Sequence, residues 1–78
     1  MEVVEVEARF DEAGEASPVR FKWNGRWFTV DSIGRRWQDR GGQHVLVMIP
    51  GGQAFELLFT PMEGRWYLGL IGQRRMMA

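Results

Sequence analysis

Along the first ten residues polar and apolar side chains alternate, with Val4, Val6, Ala8 and Phe10 on one side and Glu5, Glu7 and Arg9 on the other. This period of two predicts a half-buried strand over residues 2–10. Residues 11–18, Asp-Glu-Ala-Gly-Glu-Ala-Ser-Pro, have no apolar face and predict a loop. Two further alternating runs, Val19 to Trp23 and Arg26 to Val30, flank Asn24-Gly25. Asn-Gly suits a type I′ hairpin because both central residues need positive φ. That turn sets Trp23 opposite Arg26, Phe21 opposite Phe28 and Val19 opposite Val30, with Lys22 opposite Trp27 and Arg20 opposite Thr29 on the other face.

The segment 34–42 mixes four charges, three glycines and Trp37, a composition that predicts a long loop. His44 to Ile49, Ala54 to Thr60 and Arg65 to Ile71 read as apolar strands separated by Pro50-Gly51-Gly52-Gln53 and Pro61-Met62-Glu63-Gly64. Pairing them through short turns stacks Leu46, Leu57 and Leu68 in one inner row and Met48, Phe55 and Leu70 in another, and puts His44 in a row with Phe59 and Trp66. Six strands without a helical period predict an all-β chain, a small antiparallel curled sheet or partly open SH3-like barrel of five to six strands. Residues 1–78 read as a single domain: an acidic first strand (1–10), a loop (11–18), a β core (19–71) and a frayed tail (72–78).

Composition narrows the function more by exclusion than by assignment. At 78 residues the chain supports one modest core, and without cysteine that core rests on packing alone. No apolar run reaches the roughly 20 residues of a membrane span, and Met1-Glu2-Val3-Val4-Glu5 lacks the layout of a signal peptide, so a cytoplasmic domain with no membrane partner is expected. Ten basic and ten acidic residues give zero net charge, but unevenly: residues 1–17 sum to −5 and residues 18–78 to +5.

Catalytic residue types are scarce: one histidine, one lysine, one tyrosine, two serines. His44 has no second His or Cys with which to hold a metal and reads as a packed or rim side chain. Asp11, Glu12 and Glu15 lack the spacing of a calcium loop, and neither Gly41-Gly42 nor Gly51-Gly52 sits in a phosphate-cradling frame. The chain is therefore read as no enzyme, with no cofactor and no metal site.

Between Pro18 and Arg40 six bases interleave with Trp23, Trp27, Phe28 and Trp37. Arginine forks bind phosphate and exposed indoles stack on bases, so this pattern suits single-stranded DNA or RNA. The candidate residues are Arg20, Lys22, Arg26 and Trp27 on the hairpin and Arg35, Arg36, Trp37 and Arg40 on the following loop. Two alternatives stand beside this. Trp27 is either exposed or covered by the Trp37 loop, and the arginines either solvate that loop or pair with the acidic first strand. The second functional reading is a protein-interaction or homo-oligomerisation module, because Trp, Phe, Met and Arg are abundant and an edge strand could pair with a partner or with its own copy.

The motif Pro18-x-x-Phe21-x-Trp23-x-Gly25-Arg26-x-Phe28-x-Val30, with Phe55-Glu56-Leu57-x-Phe59 and Gly64-Arg65-Trp66-x-Leu68, resembles a family of small uncharacterised bacterial domains. Members carry a Phe-x-Trp-x-Gly-Arg-x-Tyr-x-Val hairpin and a closing Gly-Arg-Trp-x-Leu, and some are encoded beside error-prone DNA polymerase subunits. The resemblance spans about Pro18 to Leu68 and implies a shared fold and a DNA-repair setting. Phe28 stands where the family more often has Tyr, and Thr60 where Asp is commoner.

Overall fold

Asn24 and Gly25 adopt φ of 53° and 77°, and the hairpin around them closes with Trp23 opposite Arg26, Phe21 opposite Phe28, Lys22 opposite Trp27 and Arg20 opposite Thr29. The computed structural model describes residues 1–71, so the tail expected to fray at 72–78 lies outside the described residues. Its strands are β1 (Glu2–Val4), β2 (Val6–Phe10), β3 (Ala16–Trp23), β4 (Arg26–Thr29), β5 (Ser32–Asp39), β6 (Gly42–Met48), β7 (Ala54–Thr60) and β8 (Arg65–Leu70). They form two antiparallel sheets ordered β1-β8-β7-β6-β5 and β2-β3-β4, an all-β architecture that does not close into a barrel.

Eight strands replace the expected five to six for two physical reasons. The first run breaks at Glu5, so that β1 joins β8 in one sheet and β2 joins β3 in the other. Segment 34–42 is also mostly strand rather than loop: β5 pairs with β6, absorbing Gly34-Arg35 in an irregularity between Ile33 and Arg36. An edge strand needs a partner on one side only and tolerates glycine and charge there. The 11–18 loop is shorter than expected. Asp11 Oδ1 accepts the N–H groups of Ala13 and Glu15 at 2.9 Å each, and β3 begins at Ala16. The β2–β3 register then shifts between Glu7 and Ala8, leaving Val19 39% exposed instead of on the apolar face.

The first of the two C-terminal hairpins differs from expectation by one residue. β6 and β7 align Val45 with Leu57 and Val47 with Phe55, so Leu46 and Met48 leave the predicted inner rows. A one-residue slip turns every side chain of a strand over. Here the turn between Met48 and Ala54 is five residues long, held by bonds from Ile49 N–H to Gln53 O and from Gly52 N–H to Ile49 O. The β7–β8 register matches, with Leu57 opposite Leu68 and Phe55 opposite Leu70. His44 consequently lies opposite Leu58, while Gln43 takes the predicted place beside Phe59 and Trp66.

Between the sheets sit Ala16 and Phe21 from one side and Val45, Val47, Ile49, Phe55, Leu57, Trp66 and Leu68 from the other. Phe21, Phe55 and Leu57 are fully enclosed, each worth roughly 1.5–3 kcal/mol of burial. Phe55 packs edge-to-face with Phe21 and with Trp23 at centroid distances of 5.1 and 5.2 Å. Trp23 is thus core packing rather than a binding surface.

Gly42 is the tightest backbone position. Its φ is 136°, and a Cβ there would overlap the Phe59 carbonyl oxygen, a backbone atom that cannot swing aside. Gly42→Ala is expected to lower unfolding free energy by about 3–4 kcal/mol in urea denaturation. Gly52→Ala, at φ 91° but facing open space, should cost only about 1–2 kcal/mol.

Candidate interaction surfaces

The hairpin carries the first candidate surface on the outer face of the three-stranded sheet. Trp27 is 38% exposed, not covered by the segment carrying Trp37. The Arg20 guanidinium lies 4.4 Å above the Trp27 ring, and Lys22 is its cross-strand neighbour. The acidic first run reaches this same face. Glu7 lies opposite Arg20 and accepts its Nη2–H at 2.7 Å, and Glu5 Oε2 stands 4.0 Å from Lys22 Nζ. The hydrogen bond from Arg20 holds the Glu7 carboxyl below its ordinary range and raises Arg20. Both pairs are exposed, so they add little stability, but they neutralise the cations that a phosphate would need. Arg26 folds over the Phe28 ring at 5.4 Å.

The residues of β5 do not join that surface. Arg36 projects between the sheets, donating to the Ala16 carbonyl at 2.7 Å and to Ser17 Oγ at 2.9 Å, with Glu15 Oε2 at 3.8 Å. Gln43 works beside it: its Oε1 accepts the Ala16 N–H at 3.0 Å and its Nε2 donates to the Gly14 carbonyl at 2.9 Å. These two side chains tie the start of β3 to the other sheet where no backbone ladder does. Arg35 and Trp37 instead occupy the outer face of the five-stranded sheet, the guanidinium 5.2 Å from the ring centroid. Arg40 is exposed in the turn between β5 and β6. The eight candidate residues therefore fall into separate groups on two sheets, with Arg36 turned inward.

A third grouping has no counterpart among the sequence motifs. Because of the register, Val3, Tyr67, Leu58, His44 and Trp37 form one row across all five strands of the larger sheet, on its outer face. Val3 is 56% exposed, and the other four are partly exposed. Trp37 stacks on the His44 ring, 4.8 Å between centroids and 8° between planes. His44 Nδ1 meets Glu56 Oε2 at 2.6 Å and Nε2 meets Asp39 Oδ1 at 2.9 Å. The Tyr67 hydroxyl donates to Glu63 at 2.7 Å, which raises its pKa. The polarity of His44 and Glu56 was the available signal: both belong outward, and that alone turns Leu46, Leu58 and Tyr67 outward with them.

A neutral imidazole has one N–H, so carboxylates on both nitrogens are satisfied together only by the imidazolium. Partial burial lowers the His44 pKa, but the hydrogen bonds its ring donates to Glu56 and Asp39 outweigh it and hold the value above the ordinary one. The same bond, with the Gly41 N–H, lowers Asp39. Among the described residues no cluster of His, Asp or Glu is arranged to hold a metal ion.

The sign of the resulting pH dependence follows from linkage. The unfolded chain loses the histidine proton near pH 6.5, roughly, and the folded chain at higher pH. The stabilisation is complete below the unfolded value and is lost as pH rises through the folded one. Urea unfolding free energy should fall across that window, with tryptophan fluorescence of the folded chain titrating at its upper end, and His44→Gln should abolish both. A wild-type profile flat from about pH 6 to pH 9 would contradict the clamp.

No family model, curated protein or solved structure matches this chain, and the geometry is what bears on its function.

Proposed function

We propose that this chain is a non-catalytic protein-interaction module of the cytoplasm, and that the outer face of the five-stranded sheet is its docking surface. The observation that carries the reading is the row Val3, Tyr67, Leu58, His44 and Trp37, an apolar and aromatic strip spanning every strand of that sheet. Aromatic side chains edged by satisfied polar groups are the make-up of an interface centre, and Glu56, Glu63 and Asp39 provide the polar edge. Among the described residues no helix is long and apolar enough to cross a membrane.

A second reading, single-stranded nucleic acid, is favoured by one observation: Trp27 is exposed beside Arg20 and Lys22. Carboxylates at Glu5 and Glu7 weaken it, since phosphate would have to displace them. The bacterial family resemblance supplies its DNA-repair setting. Both readings place the chain outside catalysis and assign it no cofactor.

Two measurements separate the readings. Titration of a labelled oligonucleotide at about 50 mM salt should give no saturable tryptophan quenching; tight binding that weakens steeply with salt would replace the first reading by the second. Immobilised protein should retain a defined protein partner from nuclease-treated extract, and Leu58→Asp should lose it at least tenfold while Arg20→Ala keeps it. Retention indifferent to Leu58→Asp would refute the docking face.

A further inference from the structure

Strand β5 is hydrogen-bonded on one side only, to β6, and forms an edge of the five-stranded sheet. Natural edges are blunted by proline, by very short strands, by bulges or by charges pointing inward against an incoming partner. This edge is eight residues long and contains no proline, and its one irregularity, between Ile33 and Arg36, lies at the margin of residues 35–39, with regular pairing from Arg36 to Asp39. Its inward charge, Arg36, is already consumed by Ala16, Ser17 and Glu15. Ser32 to Arg35 and Gln38 to Asp39 are exposed along it.

The charge order on its outer face is self-complementary. Arg35, Trp37 and Asp39 occupy alternate positions, so a second β5 laid antiparallel with Trp37 on the two-fold axis sets each Arg35 opposite Asp39 of the second copy, and each Arg36 opposite Gln38. Asp39 has an oxygen to spare, because Gly41 N–H and His44 both bind Oδ1. The same register sets Trp37 against its own counterpart and carries the row Val3, Tyr67, Leu58, His44, Trp37 without interruption into the second copy. A chain of zero net charge meets no long-range self-repulsion.

We propose that β5 pairs with β5 of a second copy of this chain, antiparallel about Trp37, joining two five-stranded sheets into one ten-stranded sheet with a doubled docking row. The inference rests on the proposed docking face for its use, but its geometry is independent of it. Opposite-charge cross-strand pairs and an isologous two-fold contact supply the specificity. The paired edge is short, so the association belongs with weak, reversible interfaces.

Sedimentation velocity from low-micromolar to sub-millimolar concentration tests this with the whole chain. The weight-average mass should rise toward twice the monomer. Arg35→Asp and Asp39→Arg should each remain monomeric, because like charges then face each other. An equimolar mixture of the two should recover dimers, since in the mixed pair an acid again faces a base at both contacts. The double variant R35D/D39R should also dimerise by itself. Near-ultraviolet circular dichroism checks that each variant keeps its fold; Arg35→Asp leaves both carboxylates of the His44 clamp in place, so its loss of dimer tests the pairing even where Asp39→Arg folds poorly. A mass that stays monomeric throughout, or a dimer indifferent to both single variants, overturns the pairing. Partner retention that depends on Leu58 in a protein that stays monomeric would sink the pairing alone and leave the docking face standing.

Discussion

Everything in this small fold depends on enclosing Phe21, Phe55 and Leu57 between two sheets of a 78-residue chain. A flat sheet of these strands would leave one face of the aromatic cluster wet. The chain instead bends twice, at Glu5 between β1 and β2 and at Val30-Asp31 between β4 and β5, so that one run of sequence serves both layers. Corners of this kind are how strands switch sheets in packed β structures. Where the layers diverge, backbone pairing gives out, and Gln43 and Arg36 close the seam with side-chain hydrogen bonds to Gly14, Ala16 and Ser17.

That seam decides what the charges can do. Arg36 becomes a structural fork once its nitrogens are bound to Ala16 and Ser17, and Arg20 becomes half of a pair once β2 brings Glu7 alongside. The acidic and basic portions of the sequence meet across a ladder, so the overall neutrality is also local on the hairpin face. Of the cations without a carboxylate partner among the described contacts, Arg26 and Arg35 rest on rings, while Arg9, Arg40 and Arg65 are exposed. On the hairpin face Arg20 and Lys22 are therefore neutralised by Glu7 and Glu5, while the less conspicuous outer face of the larger sheet keeps its aromatic side chains partly open.

His44 shows how narrowly such outcomes are set. In the register that short turns suggest, it sits on the inner face beside Phe59 and Trp66; one residue away, it reaches Asp39, Glu56 and Trp37. Turn length made the difference, and a five-residue turn with Gly51 and Gly52 at positive φ is not distinguishable by composition from a tighter one. The polarity of His44 and Glu56 did carry the right answer, because both strands must turn their polar side chains out. Asp39 carried no comparable hint, since its segment reads as loop.

The sequence by itself determined what depends on near neighbours: the all-β class, the Asn24-Gly25 hairpin with its register, the β7–β8 pairing and the core roles of Phe21, Phe55, Leu57 and Leu68. Alternation and turn chemistry act over a few residues and are written in order along the chain. Tertiary structure alone decided the break at Glu5, the conversion of segment 34–42 into an edge strand, the pairing of Glu7 with Arg20 and the assembly of the five-strand row. Each of these turns on which distant strand supplies a partner for exposed backbone, a choice made by the demand that both layers cover the same core and one that no local pattern encodes.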